Sequence, residues 1–142
     1  MHLTPGIRHL ASSFVFVAVI ILACGCDSGL KTYPTSGHVR FEDGTPVTAG
    51  TIIFQSVEME VQARANIQND GTFHLGTETP DDGAVEGKHR VIVRAQWEGP
   101  DTPPKHPVHP KYRSPHTSNL EYEVTPQGPN EFDITVQRPE QR

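Results

Sequence analysis

The 142-residue chain has only two cysteines, Cys24 and Cys26, and both lie near its start. Everything after them is without a disulfide, a thiolate nucleophile or a thiolate metal ligand. A bridge between residues two apart is badly strained, so this pair does not read as a structural disulfide either. Basic residues are also scarce: after residue 23 there are 11 Lys and Arg against 17 Asp and Glu, a formal charge of −6. That balance speaks against nucleic acid, which needs a basic patch, and against an electrostatic grip on anionic lipid. No apolar run approaches the roughly 20 residues that span a bilayer as a helix. There is no Gly-x-Ser-x-Gly elbow. No segment after residue 30 has the spacing of an amphipathic helix.

What is present first is an address. Arg8 precedes ten apolar residues, Phe14 to Ala23, and then Cys24. A basic start, a short apolar core and small residues at its end make a secretory signal peptide, expected as a helix over residues 1–23. Ile21-Leu22-Ala23-Cys24 resembles a bacterial lipobox. That resemblance implies a thioether-linked diacylglycerol on Cys24, usually with a further acyl chain such as palmitate on its amine. Such chains hold a protein at a membrane without a spanning helix. Gly25 before Cys26 fits the pattern more loosely, so Cys26 is the alternative. The expected organisation is a signal peptide (1–23), a polar tether (24–32), one β domain (33–138) and a short tail (139–142). The expected location is the cell envelope, lipid-anchored and facing the periplasm or exterior.

From Tyr33 onward, apolar residues recur at every second position, the period of a half-buried strand. Val39 and Phe41 alternate with His38 and Arg40. Thr51 to Phe54 is a denser run. Met59, Val61, Ala63, Ala65 and Ile67 alternate with Glu58, Glu60, Gln62, Arg64 and Asn66. Phe73 and Leu75 follow, then Val91, Val93 and Ala95, then Leu120, Tyr122 and Val124, and finally Phe132, Ile134 and Val136. Turn residues separate the runs: Asp43-Gly44, Asn69-Asp70-Gly71 and Asp82-Gly83. Seven such strands predict an all-β, antiparallel sandwich with one wet face to each sheet.

The same residues carry a family resemblance. Ser36-Gly37-His38-Val39, Asp43-Gly44-Thr45-Pro46-Val47 with Ala49-Gly50, Asp70-Gly71-Thr72-Phe73, and Glu86-Gly87-Lys88-His89-Arg90-Val91 fall in that order. The succession resembles the carboxypeptidase regulatory-like, or transthyretin-like, Greek-key β-sandwich over nearly the whole chain after Tyr33. Pro110-Lys111-Tyr112-Arg113-Ser114-Pro115 with Thr117-Ser118 resembles the late loop of small bacterial lipoproteins built on that domain. The resemblance implies a spacer, folding aid or binding module rather than an enzyme. His89 departs from the pattern, standing where the family usually has an aromatic residue. By parity it faces inward, with one nitrogen hydrogen-bonded.

Possible chemistry is thin. His106, His109 and His116 share one Pro-rich loop and are the weak candidates for zinc or copper. Prolines after His106 and His109 hold the backbone extended and splay the rings, so no metal and no cofactor are expected. Asp81-Asp82-Gly83 has too few oxygens for calcium and reads as a turn. Tyr112-Arg113-Ser114 lacks the glycine and the C-terminal position of the transthyretin-like hydrolases that act on 5-hydroxyisourate. Trp97 and Tyr112 are the candidate platform residues for a sugar ring, although Trp97 also fits as a cap on the open end of the sandwich. The expectation is a non-catalytic envelope module, structural or protein-binding. A carbohydrate-binding surface module is the alternative, and a metal-handling or hydrolytic envelope protein comes third.

Overall fold

The computed structural model describes residues 29–96 and 99–140. The expected signal segment, both cysteines and Trp97 lie outside these residues. Within them are nine strands rather than seven: β1 (Thr32–Tyr33), β2 (Thr35–Phe41), β3 (Thr51–Ser56), β4 (Gln62–Asn66), β5 (Thr72–His74), β6 (Ala84–Val85), β7 (Gly87–Arg94), β8 (Glu121–Val124) and β9 (Asn130–Val136). One 3-10 turn, Pro110–Arg113, interrupts the long loop. No described helix is long and apolar enough to cross a membrane.

The fold is all-β. One sheet has the order β5-β2-β9, a second β4-β3-β7-β8, and β1 pairs with β6 as a small two-stranded ribbon. The two larger sheets share one core, the arrangement of a sandwich. Alternation places Val39, Phe73, Ile134 and Val136 of the first sheet against Ile52, Phe54, Val91 and Val93 of the second. Phe54 is the hub. Its ring meets Phe73 and Phe132 of the facing sheet edge-on at 6.0 and 5.8 Å, and Tyr122 and His89 of its own sheet at 6.0 and 5.9 Å. Edge-to-face contacts at these separations add to the burial of large apolar area. His89 is fully buried, and its Nδ1 lies 2.9 Å from the Gly87 carbonyl oxygen.

Two strand expectations need correction. The first concerns direction: β2 and β9 run parallel, in register from Thr35 opposite Asn130 to Phe41 opposite Val136. The other strand pairs are antiparallel. Parallel pairing arises because β8 ends in the second sheet, and the turn at 125–129 carries the chain across to begin β9 beside the start of β2. Alternation reports which face is wet; it does not report the sense of the neighbouring strand.

The second concerns length: the alternation at 58–67 does not all become strand. β4 begins only at Gln62. Glu60 takes a left-handed φ of 54°, and the Ser56 N–H donates to the Val61 carbonyl at 2.9 Å, closing a loop. Val57 and Met59 therefore sit on a hairpin tip, 48% and 46% exposed.

Parallel β2 and β9 also fix the ends of the molecule. The chain enters at β1, where Thr32 faces Val85, close to the starts of β2, β7 and β9. It leaves after Val136 at the opposite end, beside Phe41. The turn after β2 and the 3-10 turn lie at that exit end, because the His109 N–H donates to the Gln137 carbonyl at 2.9 Å.

Candidate functional site

The long loop at the exit end is tied down from within. Val108 and Tyr112 are buried in the shared core. Pro110 opens the 3-10 turn, and the His109 side chain caps it by accepting the Lys111 N–H at 3.2 Å. The Tyr112 hydroxyl accepts the Gln137 N–H at 3.3 Å. The Thr117 hydroxyl donates to the Lys111 carbonyl at 2.6 Å.

This arrangement corrects the proposed sugar platform. Tyr112 is only 4% exposed, its ring covered by the core on one side and the Lys111 ammonium 4.9 Å from its centroid. A ring so enclosed has no face left for a sugar. Trp97, the other half of that platform, is outside the described residues.

The three loop histidines are held apart by different duties. His109 uses Nδ1 as the cap, and its Nε2 lies 3.5 Å from a Glu140 carboxylate oxygen. His116 lines a separate hollow with Arg90, Asn119 and Glu121. His106 turns its Nδ1 inward, away from solvent and without a hydrogen-bond partner, as does the Nε of Arg113. Burial, with help from the nearby Arg113 charge, lowers the His106 pKa and so favours the neutral ring. Among the described residues no three His, Cys, Asp or Glu side chains are grouped as a metal site.

A feature the sequence did not single out is an open cleft of about 670 Å³ along the outer side of β4 and β5. Arg64, Asn66, Gln68, Thr72 and His74 form its floor and near wall, and residues 76–81 the far wall. The far wall is built by Asp82, whose carboxylate accepts the N–H groups of Thr77, Glu78 and Thr79 at 2.6, 3.1 and 2.9 Å. Burial alone would raise this carboxyl's pKa; the three donors outweigh it and hold the pKa below its ordinary value. Asp82 is thus spent on the turn, as Asp-Gly chemistry suggested, with its oxygens engaged by backbone. The only sequence signal for the cleft was the outward parity of Arg64 and Asn66, which any wet strand face shares.

Compared with known proteins, the chain matches no family model, no curated protein and no solved structure. Its functional reading therefore rests on its own residues and geometry.

Proposed function

We propose that the chain is a non-catalytic lipoprotein of the cell envelope, held at a membrane by acyl chains on Cys24. Its sandwich, of the Greek-key transthyretin-like kind, serves as a structural or protein-interaction module. The observation that supports this is the separation of the two ends. The chain enters at β1, just after the tether, while the loop capped by His109 and packed through Val108 and Tyr112 closes the far end. A domain strung this way stands off its anchor and turns its largest loop outward.

Metabolic labelling with a fatty-acid analogue tests the anchor. Cys24→Ala should lose the label and leave the membrane fraction, and Cys26→Ala should keep both. Recovery of the wild-type chain unacylated from the cytosol would overturn the reading.

The cleft beside β4 favours one alternative, a carbohydrate-binding surface module. Its guanidinium, amide, hydroxyl and imidazole groups suit sugar hydroxyls, through Arg64, Asn66, Gln68 and His74 instead of Tyr112. Titration with envelope polysaccharides, followed by amide chemical shifts, separates the readings. Shifts confined to β4, β5 and residues 76–81 would favour the module, and their absence at millimolar sugar would remove it.

A further inference from the structure

Val57 and Met59 are the large apolar side chains that stand exposed among the described residues, and both lie on the β3–β4 hairpin tip. The tip is held in shape. Ser56, itself buried, donates its N–H to the Val61 carbonyl at 2.9 Å and accepts the Met59 N–H on its hydroxyl at 3.2 Å. Glu60 takes a left-handed φ of 54°, a conformation uncommon for a residue with a side chain. A fixed turn thus presents two apolar groups to solvent.

Where the tip lies gives it a partner. The Val57 N–H donates to the Lys88 carbonyl at 2.9 Å, and the end of Glu58 approaches Gly87. Gly87 is two residues beyond Val85, which pairs with Thr32 at the point of chain entry. The hairpin tip and the incoming tether therefore share one end of the molecule. Thr32 is eight positions beyond Cys24, and a fully extended chain of that length spans at most about 30 Å. Charge does not draw this end to lipid, since Lys31 and Lys88 are outnumbered by Glu58, Glu60 and Glu86. What it offers a bilayer is apolar.

We infer that Val57 and Met59 form a second membrane contact, entering the interface of the bilayer that holds the acyl chains of Cys24 and setting the domain upright on it. The inference rests on the lipoprotein reading. A thioether Met and a β-branched Val on a rigid turn bury apolar area in the headgroup boundary at little cost in chain ordering. Because the contact is apolar it needs no anionic lipid, and the carboxylates of Glu58 and Glu60 beside it disfavour an anionic surface.

The test uses the full-length lipidated protein with a photoreactive benzophenone amino acid in place of Met59, and in a second protein in place of Thr45 at the opposite end. Each is reconstituted into phosphatidylcholine vesicles containing a fluorescent phospholipid, floated on a density gradient and irradiated. The expected result is a lipid adduct at position 59 at least fivefold above that at position 45, and no stronger when anionic lipid is added. Flotation with no lipid adduct at position 59 overturns the membrane contact and leaves the anchor standing. An adduct joining two copies of the chain overturns it in favour of self-association. Failure of the acylated wild-type chain to float removes the anchor, and the second contact with it.

Discussion

Asp43 and Asp70 make the same turn twice: each Oδ1 accepts the backbone N–H of the threonine two residues on at 3.0 Å, and that threonine's hydroxyl at 2.6 Å. The glycine between takes a left-handed φ, 83° at Gly44 and 85° at Gly71. The two Asp-Gly-Thr triplets thus form matching capped turns, one leaving β2 and one entering β5. Hydrogen bonds from threonine lower both carboxyl pKa values, and at Asp43 the Arg138 guanidinium at 2.9 Å lowers it further.

A carboxyl with a lowered pKa in the folded state stabilises the fold above the unfolded value, about 3.9. That contribution is lost as pH falls toward the folded value. The part of the stability due to these two carboxylates should be constant from pH 7 to about 5, and the melting temperature should drop steeply below about 4. Asp70→Asn keeps the acceptor oxygen but cannot titrate, so thermal melts of this variant should show a shallower acid drop. An unchanged acid limb would mean the turn carboxylates do not govern it.

His89 works in the opposite region of pH. Burial lowers its pKa, opposed only by the hydrogen bond to Gly87. The unfolded chain therefore takes up a proton near pH 6.5 that the folded chain refuses, and stability falls as pH drops through that value. His89→Phe keeps the ring packing against Phe54 and should flatten the melting temperature between pH 7 and 5. His89→Ala should cost about 2–4 kcal/mol in urea unfolding at pH 7.

Gly37 sits in β2 between Phe73 and Phe132. A Cβ there would overlap the Phe132 carbonyl and come within 2.9 Å of the Phe73 ring. Gly37→Ala should destabilise by about 3 kcal/mol or more, measured by denaturant unfolding. A stable Gly37→Ala protein would show that β9 can move away from β2.

Tyr112 separates packing from hydrogen bonding. Tyr112→Phe loses only the bond from Gln137 and should cost about 1 kcal/mol. Tyr112→Ala empties part of the core and should cost about 3–5 kcal/mol. Equal costs would mean the ring is not packed as described.

Zinc should do little. His106, His109 and His116 have separate surroundings, so micromolar zinc should leave the melting temperature unchanged. A rise of several degrees that disappears with EDTA would show that the loop rearranges around metal.

Strand content was legible because one face of each strand meets a core, and a two-residue period records this directly. Val39, Phe73, Val91 and Ile134 are buried as that period requires. His89 was legible for the same reason. What alternation omits is the neighbour. It gave no sign that β9 would lie parallel to β2, or that Thr32–Tyr33 and Ala84–Val85 would form a ribbon, since two-residue strands have no period to read. It also overran β4, because Met59 and Val61 continue the pattern through a turn closed by Ser56. Tyr112 was misjudged within a Pro-rich loop, where only the distant Gln137 and the core explain its burial. The cleft was illegible because its two walls come from strand edges and a turn that meet only in three dimensions.

The parallel register of β2 and β9 has a mechanical side. A pull applied between a fixed N-terminal tether and a load on the C-terminal tail acts along these two strands in opposite directions. All seven residue pairs from Thr35–Asn130 to Phe41–Val136 then bear the force together, in shear. An antiparallel terminal pair would instead peel open one rung at a time, and would give way under a much smaller tug.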